Sequence, residues 1–451
     1  MAETTPSSDN KLQSHPTDCD IAIVGGGMVG AALALALCQR DAVTSGCTES
    51  DRKLSIKVFE TFPVPDVAEV TTASTAPVEP LTPSYDARST ALSLGTRHLL
   101  ERLGVWSTLA PVSTAIDKIQ VSDKGHFGAT RIDAAKEKVP ALGYVTENRS
   151  LGKALLTPLL QQSAQASGSA TVEFCSPAEV VAAQSVSGGN RIEYEHDGEV
   201  RFCTSKLLVI ADGGRSGLRE QLQIDTDHSP YQQCALIANV SLDRPHQNIA
   251  YERFTEEGPM ALLPLTDDSQ GRARAALVWS VPLEQADELL RCEPSLFLQQ
   301  LQQRFGYRAG RFVAIGERHS YPLNMMLARE QIRTGIAVLG NAAHALHPIA
   351  GQGFNLALRG AMLLAQEILA AHAQQRDIGS LDTLERFYSQ LGWDQTKTIG
   401  FSDKVTGLFS NDRSDAIVAR NLGLLGLELL PPLKHALAES AMGLDMPLAR
   451  L

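Results

Sequence analysis

Positive charge is scarce in this 451-residue chain: 40 lysines and arginines face 51 aspartates and glutamates, giving a formal net charge of −11 at pH 7. Binding a phosphate backbone needs a basic face, so no nucleic-acid partner is expected. The seven cysteines, at 19, 38, 47, 175, 203, 234 and 292, are odd in number and form no C-x-x-C pair. That argues against a disulfide framework or a metal site, and for the reduced, packed thiols of a cytosolic protein. Residues 1–18 lack the basic-then-apolar order of a signal peptide, so a cytoplasmic location is expected. No run approaches the ~18–20 apolar residues that span a bilayer, and no internal repeat is evident. What is present is ordinary for a globular protein, 43% hydrophobic and 20% charged residues, with length enough for two or three domains.

Against that background, the stretch DIAIVGGGMVGAALALAL, Asp20 to Leu37, stands out. Asp20 to Val24 reads as a short apolar strand, Gly25, Gly27 and Gly30 are spaced G-x-G-x-x-G, and a helix follows. In such a unit the first glycine permits a tight turn, the second lets a pyrophosphate approach the backbone, and the third lets helix and strand pack closely. The positive helix N-terminus faces the phosphates. LSIKVFE, Leu54 to Glu60, supplies an acid at the end of a second strand for a ribose hydroxyl. Its distance from the glycines exceeds the usual ~20 residues, and the polar insertion DAVTSGCTESDRK accounts for the excess.

Farther along, residues 63–84 are rich in Pro, Thr and Ala and read as a loop. In YDARSTALSLGTRHLLERLGVW, the leucines at 92, 99, 100 and 103 suit an amphipathic helix ending at Gly104. Alternating strands such as CALIANVSL and RARAALVWSV, between Cys234 and Val281, suggest a mainly antiparallel sheet inserted into the nucleotide domain. The domain expectation is therefore a first nucleotide-binding part at 18–230, a substrate sheet mainly at 231–330, a second nucleotide-binding part at 331–375, and C-terminal helices at 376–451. The tail segment NLGLLGLELLPPLKHAL is strongly apolar, and two readings stay open: a helix packed on the core or a subunit contact, or a membrane-surface element that admits a lipid.

Two later motifs narrow the ligand. KLLVIADGGRSGLRE is a strand running into Asp212-Gly213-Gly214, where an acid can bond a ribityl or ribose hydroxyl. GIAVLGNAAHALHPIAGQGFNLALRGAMLLAQEIL is a strand, a loop dense in Gly, His and Pro, and a long helix whose Gly351-Gln352-Gly353 start aims amide N–H groups forward. His344 and His347 are spaced H-x-x-H without a third ligand beside them, so they read as loop-ordering groups rather than a metal site.

These motifs resemble, in order and spacing, those of the single-component flavoprotein aromatic hydroxylases. YDARSTALS, RFTEEGPMALLPL and GNAAHALHPIAGQGFNLALR are most similar to the ubiquinone-biosynthesis hydroxylase family, and within it to the 2-octaprenyl-6-methoxyphenol hydroxylase branch. The resemblance runs from about residue 18 nearly to the C-terminus. It implies an α/β fold with a Rossmann-like FAD-binding domain, an inserted mainly antiparallel substrate domain and a C-terminal helical tail. It implies that Gly25, Gly27 and Gly30 hold the FAD pyrophosphate and Glu60 the adenosine ribose. It implies that Arg88 and Asn148 lie against the flavin or its phosphates, and that Asp212 and Gly213 serve FAD. Gly340, Asn341, Pro348, Gly351, Gly353 and Asn355 would complete the cofactor site. Asn341 departs from the superfamily, where Asp is commoner; an amide still bonds ribityl hydroxyls but carries no charge.

The activity implied is hydroxylation of a polyprenyl phenol ring, with NAD(P)H as transient donor, O₂ as co-substrate and a flavin C4a-hydroperoxide as oxidant. No side chain is then demanded as a nucleophile, no catalytic base is singled out, and no second nucleotide fingerprint is required. Handover from other members of a biosynthetic complex, or peripheral contact with the cytoplasmic face of the inner membrane, follows by analogy. Two alternatives compete: a flavin hydroxylase of a small soluble aromatic, and a non-catalytic flavin-containing scaffold subunit.

Overall fold

The computed structural model describes residues 17–39, 53–64, 88–126, 128–165, 170–346, 351–409, 414–445 and 449. The expected loop at 63–84 and the polar insertion after the first helix lie almost wholly outside them.

The nucleotide sheet is built on Cys19–Val24, buried at all six positions. It pairs in parallel with Leu54–Phe59 on one side and Glu199–Ile210 on the other. Ala170–Cys175 and Ile336–Val338 extend the parallel array at either edge. A strand covered on both faces has no polar side to show, which is why Ile21, Ala22 and Ile23 run unbroken. Met28–Cys38 packs on one face and buries nine of its eleven residues, between Asn148–Gln165 and Gln352–Ala373. The other face is covered in part by the hairpin of Ala178–Val186 and Gly189–His196.

The second sheet has eight strands, in the order His344–Ala345, Phe312–Ala328, Thr226–Leu242, Arg274–Pro282, Gly258–Leu265, Ile249–Thr255, Lys118–Asp123, Ala129–Asp133. It is antiparallel except between Ile249–Thr255 and Lys118–Asp123, and its last two strands enter from the segment before residue 231. Alternation sorts its two faces. Trp279 points to one side and packs edge-on against Phe297 of the helix Pro294–Phe305, with centroids 5.6 Å apart. Val278 points to the other side, where a cavity lies.

A three-stranded sheet, Ser89–Ser93, Gly143–Glu147 and Thr114–Ile116, links the two. Here the helix expected from Leu92 onward is corrected: Leu92 sits in the strand Ser89–Ser93, opposite Tyr144, and the helix is Leu94–Arg102. The Ser93 hydroxyl accepts from the Thr96 amide and starts that helix, while Leu99 and Leu100 are buried as the periodicity demands. A second difference concerns length. Gln352–Ala373 has an 18-residue window long and apolar enough to cross a membrane, with mean hydropathy 1.2, and 72% of that window is buried inside the protein. It is a core helix whose buried polar residues Asn355 and Arg359 turn inward to partners.

One of those partners holds the helix in place. The Arg359 guanidinium donates to both oxygens of Asp394, at 2.6 and 2.9 Å, and both residues are buried. The Thr398 hydroxyl donates to the same carboxylate. Breaking a buried pair from one side strands a charge, whereas replacing both with apolar groups does not. Arg359→Met is therefore expected to lower unfolding stability by about 3–5 kcal/mol, and Arg359→Met with Asp394→Leu to recover most of that loss. Chemical denaturation of the three proteins checks it.

Candidate functional site

Four neighbouring parallel strands end on the same side of the nucleotide sheet, and the chain places a loop at each end. Gly25–Gly27 follows Cys19–Val24, Glu60 follows Leu54–Phe59, Asp212 and Gly213 follow Glu199–Ile210, and Gly340 and Asn341 follow Ile336–Val338. The Gly25 amide donates to Phe59 O at 2.9 Å, Ala211 to Val24 O at 2.8 Å and Leu339 to Ile210 O at 2.8 Å. The crevice outside such strand ends is where open α/β sheets bind ligands.

The three fingerprint glycines have different tasks. Gly25 has φ +104°, and a Cβ there would lie 2.4 Å from the Ala211 carbonyl oxygen. A Cβ on Gly30 would lie 1.9 Å from the Gly25 carbonyl oxygen. Both are demanded by the protein's own backbone. Gly27 instead lines the cavity, as N-cap of Met28–Cys38, with φ −66°. Glu60 also lines the cavity, and its carboxylate accepts from the Gly26 amide at 2.7 Å and the Phe62 amide at 3.1 Å, bracing the glycine turn. Burial raises its pKa, against the pull of those amides. Asp212 lines the same space, accepts from the Ser216 hydroxyl at 2.7 Å, and is likewise raised by burial.

Gly213, Gly340, Asn341, Gly351, Gly353 and Asn355 line the cavity as well. Asn355 is buried and ties its helix to the neighbouring strand: it accepts from the Ser93 amide at 2.9 Å and donates to Ala91 O at 3.0 Å and Gly351 O at 2.8 Å. Arg88 and Asn148 sit behind this wall. The Arg88 guanidinium lies over the Tyr321 ring, and the Asn148 side chain accepts from the Thr90 hydroxyl, while Ser89 and Thr90 face the cavity. Pro348 and His347 lie outside the described residues. His344 is off the cavity, buried with Nδ1 3.2 Å from Gln395 Nε2, and burial lowers its pKa to about 4, so the ring is neutral.

The cavity measures about 1540 Å³, above the ~300–1,000 Å³ common for one small ligand. Two helix N-termini open into it. Met28–Cys38 starts at Gly27 and Gln352–Ala373 at Gly351, which has φ +61°; no described side chain caps either, and neither has an acid in its first turn. Amide donors and a positive helix end thus face the space at both places. That donor set fits the anionic and electron-rich parts of FAD.

Beyond those helix ends the lining turns apolar. The inner face of the eight-stranded sheet contributes Ile119, Val121, Ile237, Ala261, Leu263 and Val278, with Glu252 among them. The helices Ser414–Leu429 and Pro431–Ala441 close the far side through Leu424, Leu427, Leu433 and Leu437. Glu252 was not singled out in the sequence. The signal is in IAYERFT, where a carboxylate alternates with Ala250 and Phe254 on one strand face.

A family model described as "FAD binding domain" matches residues 79–398. The chain is 32% identical to ubiquinone hydroxylase UbiL of Rhodospirillum rubrum, covering 94% of this chain and 89% of that protein. It is 29% identical to 3-demethoxyubiquinol 3-hydroxylase of Escherichia coli, covering 96% and 100%. In fold it matches p-nitrophenol 4-monooxygenase PnpA of Pseudomonas putida, with a TM-score of 0.69, 14% identity, and 95% and 98% of the two chains covered.

The glycine geometry separates cofactor binding from folding. Gly27→Leu is expected to abolish the yellow flavin complex while leaving the apoprotein's thermal unfolding within a few degrees, because the new side chain enters the cavity. Gly30→Ala is expected to lower stability itself, by roughly 1–3 kcal/mol, through overpacking. Flavin content and melting curves of both variants check this.

Proposed function

The chain belongs to the FAD binding domain family and is an FAD-dependent monooxygenase, and on that premise we propose that it hydroxylates the aromatic ring of a polyprenyl phenol in ubiquinone biosynthesis. NAD(P)H is the electron donor. The observation that carries this reading is the continuity of one cavity, from the uncapped glycine helix ends to a wholly different, apolar wall.

FAD, when bound, supplies the redox and oxygen-activating chemistry. The protein's part is binding, orientation and exclusion of water. Gly27–Val29 hold the pyrophosphate, Glu60 keeps the glycine turn in shape, and Asp212 and Asn341 offer partners for the cofactor's hydroxyls. The amides at Gly351–Gly353 would stabilise negative charge on a bound flavin. Ile119, Val121, Ala261 and Val278 keep the substrate end dry, which protects a reactive oxidant from water.

The C-terminal helices favour a long apolar substrate. Leu424, Leu427 and Leu437 face the cavity, while Leu422, Leu425, Leu429 and Leu430 face outward with 38–67% of their surface exposed. Leu433 does both, being 54% exposed and part of the lining. The apolar surface therefore runs from the interior to the outside, a path for a prenyl chain arriving from a membrane surface or a partner enzyme. A small aromatic acid is a poorer fit. Its carboxylate needs a cation at the substrate end, and the sheet wall there presents Glu252 instead.

Reconstitution with FAD and NADPH tests the reading. A prenylated phenol is expected to accelerate NADPH oxidation at least about tenfold more than 4-hydroxybenzoate does, with hydroxylated product formed in step. Equal acceleration by the two, or oxidation without product, contradicts it.

A further inference from the structure

Glu252 is a carboxyl group in a place that does nothing for the fold. The registers of six neighbouring strands put it in one row with Thr130, Val121, Ala261, Val278 and Ile237, all lining the cavity. Thr130, the other polar member of the row, is already engaged, its hydroxyl donating to Glu428 Oε2 at 3.1 Å. Glu252 has no hydrogen-bond or ion-pair partner among the described residues. Its placement is no slip of register, since the side chains of its chain neighbours are engaged elsewhere. Tyr251 stacks edge-on with Phe305 at 5.8 Å, and Arg253 donates to the Ser122 hydroxyl at 3.2 Å.

A lone carboxyl on an apolar wall costs solvation and gains nothing from packing. Leu or Val at this position would match its neighbours Val121 and Ala261 and remove that cost. The group is explained by what occupies the cavity.

We infer that Glu252 receives the hydrogen bond donated by the ring hydroxyl of the phenolic substrate, and so fixes which face and edge of the ring meet the flavin end of the cavity. This rests on the phenol-hydroxylase reading above. A carboxyl oxygen accepts from a phenol O–H and finds no donor on an O-methylated ring. Burial alone pushes the Glu252 pKa up to about 8. At neutral pH it is then mostly the uncharged acid, which binds a phenol without a bare charge in the apolar space. A site built to bond a hydroxyl discriminates strongly against the analogue that lacks it, because the polar group is then left unpaired.

The experiment uses the full-length, FAD-loaded protein and two probes, a geranyl-substituted phenol and its O-methyl ether, with equilibrium binding and hydroxylation both measured. Wild type is expected to bind the phenol about tenfold or more tighter than the ether. Glu252→Gln keeps a carbonyl acceptor and should retain that preference. Glu252→Leu should abolish it, bringing the two affinities within about twofold while flavin content stays at the wild-type level. A merely structural role would lower affinity for both probes together and leave their ratio alone. If wild type hydroxylates the phenol yet binds phenol and ether equally, or if Glu252→Leu still prefers the phenol, the assignment of Glu252 is overturned and the wider reading stands. If wild type neither binds nor hydroxylates the phenol, both are overturned.

Discussion

Two helices begin at glycine with their first amides uncapped, and both beginnings open into the same cavity. A helix end leaves its first four N–H groups without intrahelical partners, and proteins usually satisfy them with a Ser, Thr, Asp or Asn side chain. The helix Leu94–Arg102 in this chain does so through Ser93. Met28–Cys38 and Gln352–Ala373 do not, although both are buried core elements. Much of the rest follows from holding these two ends in place. The parallel strands bring the glycine turn, Glu60, Asp212 and Asn341 to one side of the sheet. Asn355 and the Arg359–Asp394 pair fix the second helix against the bridging strand and the helix Leu381–Phe409.

The eight-stranded sheet then sets the cavity's polarity by simple alternation. Along Arg274–Pro282, Trp279 packs outward on Phe297 and Val278 faces inward. The same pleat that builds one hydrophobic core leaves a second apolar surface bare, and that surface becomes the substrate wall. The C-terminal helices close it, so the last described elements of the chain complete a space that the first ones begin.

Features defined within a few residues were legible in the sequence. Gly25, Gly27 and Gly30, the acid after each of two strands, and the glycine start of the long helix all depend on local turn geometry, and all but Gly30, which lets the helix pack against the turn, reach the cavity. Features that depend on pairing between distant segments were not. Leu92 fits a helical stripe, but pairing with Gly143–Glu147 draws it into a strand. Arg88 and Asn148 do not line the cavity themselves, and Asn148 reaches it only through Thr90, whose hydroxyl donates to it. Glu252 becomes visible only when six strand registers align, because no stretch of sequence shows that its neighbours on the wall are Val121 and Ala261. The helix Gln352–Ala373 is apolar because it is enclosed on most sides, and composition alone does not separate that from a membrane span.

The central claim is that one bound FAD bridges the two uncapped helix ends. A structure of the protein with FAD bound tests it most directly. The account predicts the pyrophosphate against the amides of Gly27–Val29 and the flavin ring against Gly351–Gly353, with Glu60 still bonded to the Gly26 amide. FAD found outside this cavity, or contacting one helix end while the other is closed over by protein side chains, would contradict it.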